Sequence, residues 1–132
     1  MGFFKRLFGI CATRPPADAG CWRHADGVIE VELARAPELA ESGGAMRLEG
    51  DGLATRVLLL RGDDGALHAL ENKCDHAGRR LDPLTGTGQI ECCSIGKSRY
   101  DYGGQLLGGM AKNPVRTFPV AEADGLASIT LS

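Results

Sequence analysis

An all-β fold, an antiparallel β-sandwich or small barrel, is predicted by three features of the sequence. Short apolar and β-branched runs recur at regular spacing. Turn signals separate them. No stretch sustains the 3.6-residue apolar period of a long helix. Glycine is frequent, 19 of 132 residues, and aromatics are few at 5%, a balance that favours turns and short strands.

The elements follow in order. Phe3, Phe4, Leu7 and Phe8 recur at near-helical spacing around Lys5 and Arg6. Residues 1–10 are read as a mobile tail, with a weak peripheral membrane contact as the rarer alternative. Residues 12–20, which contain Pro15 and Pro16, read as a linker. The chain thus divides into an N-terminal tail and linker, 1–20, and one domain, 21–132. Val28–Leu33 reads as a strand, and Ala36–Leu39 as a turn or short helical segment. Ala45–Glu49 and the strongly apolar Thr55–Arg61 are further strands. Gly62-Asp-Asp-Gly65 supplies a hairpin turn with the glycine that positive φ requires. Leu67–Leu70 follows. Beyond residue 100, Tyr100–Tyr102 turns at Gly103-Gly104 and returns as Gln105–Leu107. Residues 108–114 are irregular and glycine-rich. Val115–Val120 and Leu126–Leu131 are expected to pair as a closing hairpin around Asp124-Gly125.

Composition excludes several classes. The net charge is −2 and no long basic run exists, so nucleic acid is not an expected partner. No apolar run approaches the ~20 residues that span a bilayer. Neither the long apolar region nor the cleavage site of a signal peptide is evident, and the expected location is cytoplasmic. The cysteine count is odd (Cys11, Cys21, Cys74, Cys92, Cys93), which argues against a disulfide framework and for metal-binding or redox-active thiols.

The chemistry concentrates between Cys74 and Asp101. Cys74 and His76 lie two residues apart, and a second thiol cluster, Cys92-Cys93, follows after a short connection. This is metal-ligand spacing. Thiolates select zinc, copper(I) or iron–sulfur clusters, and imidazole suits zinc and iron. Adjacent side chains in an extended segment point to opposite faces, so Cys92 and Cys93 reach one metal centre only through a kinked backbone. That makes tetrahedral zinc closure awkward. A reversible disulfide between the two loops is a further reading. His24 and His68 are isolated scaffold histidines with no assigned role. No set of catalytic acid, base or nucleophile is evident, so no enzymatic activity of its own is expected.

Cys74-x-His76-x-Gly78, Ile90-x-Cys92 and Ser98-x-Tyr100-Asp101 together resemble the two-loop signature of the Rieske family. Such proteins hold a 2Fe–2S cluster with one Cys and one His from each loop. The resemblance covers residues 22–131. It implies a small cluster-binding subdomain, about 73–108, inserted into the β scaffold, with residues 108–114 as a covering loop. The departure is the second loop, which has no histidine. If Cys92 takes the family position, Ile95 stands where histidine is expected and one extra residue precedes Ser98. If Cys93 takes it, Gly96 replaces histidine. Cys74, His76, Cys92 and Cys93 are the candidate metal ligands. The resemblance also implies that Ser98 and Tyr100 donate hydrogen bonds to a bridging sulfide and a ligand cysteine, and that Gly78 lets backbone amides approach sulfide.

The expected function is a small soluble electron carrier or redox subunit with an atypical 2Fe–2S cluster, partnered by a reductase, an oxygenase or another oxidoreductase. The rival is a Rieske-fold binding or structural subunit that has lost its cluster. A thiolate in place of an imidazole adds negative charge, so the potential is expected below that of two-histidine sites.

Overall fold

The computed structural model describes residues 12–50, 52–74, 78–93, 97–109 and 111–131. Its regular structure is twelve strands and three short 3₁₀ segments among the described residues. The strands are β1 (Trp22–Ala25), β2 (Val28–Glu32), β3 (Ala45–Leu48), β4 (Val57–Arg61), β5 (Leu67–Glu71) and β6 (Leu81–Leu84). The chain continues through β7 (Gln89–Cys92), β8 (Arg99–Asp101), β9 (Leu106–Gly108), β10 (Thr117–Phe118), β11 (Val120–Ala123) and β12 (Leu126–Thr130). They form three four-stranded sheets, ordered β1-β2-β12-β11, β10-β5-β4-β3 and β6-β7-β8-β9, with every pair antiparallel. None of the described helices is long and apolar enough to cross a membrane.

The middle sheet separates two cores. Strand β4 shows why. Val57 and Leu59 point into one apolar cluster, with Ile29, Met46, Phe118 and Ile129. Leu58 and Leu60 point into the other, with Leu81, Ile90, Cys74, Cys92 and Tyr100. Side chains alternate across a strand, so burial on both faces demands an unbroken apolar run, and Val57-Leu-Leu-Leu60 is that run. The first core joins the two scaffold sheets. The second joins the scaffold to the third sheet, whose strands come from residues 81–108.

Most expected strands lie within a residue or two of their predicted bounds. The Ala36–Leu39 segment is 3₁₀ over Pro37–Leu39. The closing hairpin differs. Val115–Val120 is not one strand paired with the last. Thr117–Phe118 pairs with β5 in the middle sheet, while Val120–Ala123 pairs with β12 in the first. Pro119 stands between them. It has no N–H to contribute to a ladder, and the chain changes sheets there. The turn to β12 is as predicted, with Asp124 and Gly125 both at positive φ (53° and 78°). Strand β1 was not foreseen, although Asp26-Gly27 makes the same kind of turn, with φ of 53° and 76°.

Residues 12–20, expected as a linker, are docked on the domain. The backbone N–H groups of Ala12 and Thr13 donate to the two carboxylate oxygens of Asp82, at 2.7 and 2.9 Å. The Arg14 carbonyl accepts from the Arg47 N–H, at 3.0 Å. The Ala17 N–H donates to Glu38 Oε2, at 2.9 Å. The aromatic tail, Phe3 to Phe8, lies outside the described residues.

Candidate metal centre

The first loop leaves β5 at Glu71 and places Cys74 in the second core, with no solvent exposure. Hydrogen bonds fold the loop on itself. The Cys74 N–H donates to the Arg79 carbonyl at 2.7 Å, and the Gly78 N–H donates to the Cys74 carbonyl at 3.1 Å. Gly78 has φ of 65°, which an L side chain resists, and this explains the glycine. Asn72 Oδ1 accepts from the Leu81 N–H at 2.7 Å, fastening the loop to the start of β6.

The second loop leaves β7. Strand β7 pairs with β6 in the register Leu81↔Cys92, and with β8 in the register Ile90↔Tyr100. Ile90 and Cys92, two residues apart, both lie in the second core. Cys92 is therefore fully buried in the same apolar cluster as Cys74. Cys93, just past the end of β7, is also buried and is not among the described members of that cluster. Its N–H donates to the Arg80 carbonyl at 2.9 Å. On the way back Lys97 has φ of 49°, then Ser98 returns its carbonyl to the Cys92 N–H at 2.8 Å.

Tyr100, on β8, has no solvent exposure, and its hydroxyl lies 3.2 Å from the Cys74 sulfur. Ser98 is equally buried. Its Oγ accepts from the Ala111 N–H at 2.9 Å, which leaves the hydroxyl hydrogen to donate elsewhere. Gly109 packs its backbone against Ser98: a Cβ there would lie 2.3 Å from Ser98 Cα. The covering segment thus rests directly on Ser98 and, through Ala111, on the core that contains Tyr100.

Four of the candidate residues are brought together: Cys74 and Cys92 in one cluster, Tyr100 against Cys74, and Ser98 at the exit of the loop. His76, Ile95 and Gly96 lie outside the described residues. Cys93 is disulfide-bonded, whereas Cys21, Cys74 and Cys92 are not in disulfides. The scaffold histidines stay away from the loops. His68 is half-buried, its Nε2 is 2.8 Å from Asp64, and its ring stacks on Tyr102. His24 is half-buried on β1. Arg79 is exposed, but Arg80 is not a free surface charge. Its guanidinium makes a bidentate pair with Glu49 at 2.7 and 2.9 Å. That pair holds the Glu49 carboxyl below its ordinary range and raises Arg80.

Two observations fit a sulfur-bound cluster. Cys74 and Cys92 are buried cysteines outside any disulfide, in one apolar cluster. Asn72, two residues before Cys74, is 1% exposed and its Nδ2 has no acceptor among the described residues. A buried donor without a partner is satisfied by an acceptor-rich group. The donor set is complete for an iron held by two thiolates. For an iron held by two imidazoles it is incomplete, because the chain offers His76 and no second loop histidine. Among the described residues no group of three or more His, Cys, Asp or Glu side chains is gathered to hold a metal ion.

The family model for the Rieske [2Fe-2S] domain matches residues 30–119. Among solved structures, the ferredoxin of carbazole 1,9a-dioxygenase from Nocardioides aromaticivorans IC177 is 22% identical, with a TM-score of 0.63 over 78% of this chain and 98% of that one. The plasma membrane Rieske protein PetC3 from Synechocystis PCC 6803 is 17% identical, with a TM-score of 0.55 over 66% of this chain and 86% of that one. Dicamba monooxygenase is 31% identical, with a TM-score of 0.59 over 73% of this chain but only 30% of the oxygenase chain. No curated protein matches the chain.

Proposed function

Because the chain belongs to the Rieske [2Fe-2S] domain family, we propose that it is a small electron-transfer protein or redox subunit whose 2Fe–2S cluster has atypical ligation. The observation that carries this reading is the burial of Cys74 and Cys92 in one apolar cluster, with the Tyr100 hydroxyl against the Cys74 sulfur. Cys74, Cys92 and His76 are the assigned ligands. Cys93 is the candidate fourth, available as a thiolate when its disulfide is reduced. Such a cluster, when bound, accepts and returns single electrons.

The remaining roles belong to the chain itself. Tyr100 donates to the Cys74 sulfur and favours the electron-rich state of the site. Ser98, anchored by Ala111, keeps a hydroxyl hydrogen to donate. The apolar cluster of Leu58, Leu60, Leu70 and Ile90 keeps water from the thiolates. The partner we propose is a reductase, an oxygenase or another oxidoreductase. Support comes from the likeness in fold to a dioxygenase ferredoxin and from the match to part of a monooxygenase. We place the protein in the cytoplasm, in keeping with Cys21, Cys74 and Cys92 lying outside disulfides.

A second reading, a Rieske-fold binding or structural subunit without a cluster, is favoured by the bonded state of Cys93 and by the missing loop histidine. Iron and acid-labile sulfide, measured with a visible spectrum on chain purified without oxygen, separate the two. The first reading expects about two irons and two sulfides per chain, lost in Cys92→Ser. Cys93→Ser then reports whether the fourth ligand is that thiolate. A colourless, iron-free chain after reconstitution under reducing conditions overturns the first reading and leaves the second.

A further inference from the structure

We infer that Arg56 is a positioning residue that ties together both ends of the first ligand loop. Arg56 immediately precedes β4, and the register Val57↔Glu71 sets it opposite Asn72. The Asn72 N–H donates to the Arg56 carbonyl at 2.9 Å. The side chain answers in the other direction. Its Nε donates to the Asn72 carbonyl at 3.0 Å, and its Nη2 donates to the Gly78 carbonyl at 2.7 Å. One planar guanidinium therefore spans the two feet of a loop whose sequence between them contains Cys74 and His76.

The chemistry suits arginine. Its donors form a rigid fork that can serve two acceptors at once, whereas a lysine ammonium on a flexible stem is a single point charge. Hydrogen bonds from a charged donor are stronger than neutral ones. The two carbonyls bound by Arg56 are those the sheet leaves open, one after the end of β5 and one at the positive-φ turn of Gly78. Inside the loop, the Cys74 N–H bond to Arg79 and the Gly78 N–H bond to Cys74 run across the span that Arg56 closes. Ordering the loop through protein contacts lowers the conformational entropy lost when its ligands bind metal.

This inference rests on reading 72–78 as a ligand loop, but its first test does not need a cluster. Amide hydrogen exchange on the full-length, metal-free, reduced chain compares wild type with Arg56→Ala and Arg56→Lys. The expected result is exchange at Cys74 and Gly78 accelerated about tenfold or more in Arg56→Ala, with β12 amides unchanged and partial recovery in Arg56→Lys. Equal exchange at Cys74 and Gly78 in wild type and Arg56→Ala overturns it. So does acceleration that is equally large in β12, because that reports global loosening. If Arg56→Ala does not fold, Arg56→Lys alone decides, since it keeps the charge and cannot bridge both carbonyls. The second test is iron and sulfide retained after reconstitution, expected to fall in Arg56→Ala and to recover in part in Arg56→Lys. If wild type takes up no iron while the exchange result holds, the latch stands and the cluster reading fails.

Discussion

The Tyr100 hydroxyl lies 3.2 Å from the Cys74 sulfur, and both side chains are completely shielded from solvent. At this distance the phenol hydroxyl can donate to that sulfur. Tyr100→Phe removes that bond and little volume. The expected loss of stability is about 1 kcal/mol, measured by denaturant unfolding. In cluster-loaded protein the same substitution lowers the reduction potential, because the lost donor favoured the more negative state. A differential of about 1 kcal/mol corresponds to roughly 40 mV for one electron, read by spectroelectrochemical titration.

Asp82 fixes the docked N-terminal segment, residues 12–17. It is 1% exposed and accepts from two backbone N–H groups that lie far from it in sequence, those of Ala12 and Thr13. Asp82→Ala orphans both. The segment is then expected to detach rather than bury unpaired donors, at a cost of about 2 kcal/mol. Limited digestion with a broad-specificity protease tests this. Cleavage within residues 12–17 is expected to accelerate in the variant while the rest of the domain stays intact.

The Glu49–Arg80 pair makes the first loop sensitive to acid. The Arg80 hydrogen bond depresses the Glu49 pKa below its ordinary value near 4.5, with burial opposing and the Arg80 charge assisting. The folded state thus holds the Glu49 proton less tightly than the unfolded chain. The pair contributes its stability in full above the ordinary glutamate pKa, and the contribution vanishes as pH falls through the lower folded value. Melting temperatures measured from about pH 6 down to pH 3 are expected to fall more steeply for wild type than for Glu49→Gln. Parallel curves count against the pair as a source of pH dependence.

What could be read from the residues follows how local the cause is. The Val57–Arg61 strand was legible because burial on both faces writes an unbroken apolar run. The Asp124-Gly125 turn was legible because its geometry demands those residue types. The sheet change at Pro119 was less visible, since a proline ends a ladder without saying where the chain goes next. In the candidate site, Cys74, His76, Cys92 and Cys93 drew attention by spacing. Which of Cys92 and Cys93 shares a buried cluster with Cys74 did not, because it depends on the ladder Leu81↔Cys92, a pairing between strands. Arg56 and Asp82 escaped notice for the same reason. Each acts on backbone groups that only the folded chain brings near. The disulfide at Cys93 ran against the odd cysteine count, which argues against a framework but not against one bond.

The contact between Gly109 and Ser98 gives the sharpest test of the covering segment. Gly109 has φ of 102°, and a Cβ there would sit 2.3 Å from Ser98 Cα and 2.7 Å from Ser98 N. Neither neighbour can yield as a flexible side chain would, because both are backbone atoms. Gly109→Ala must therefore strain its own φ and push the covering segment outward, at a combined cost of roughly 2–4 kcal/mol. The displacement breaks the Ala111 N–H bond to Ser98 Oγ, whose loss frees the buried hydroxyl from its anchor. Gly108→Ala is the control. Its Cβ would meet nothing within 4 Å, so denaturation is expected to show a change of less than about 1 kcal/mol. Equal stability of the two variants would show that the segment does not bear on Ser98.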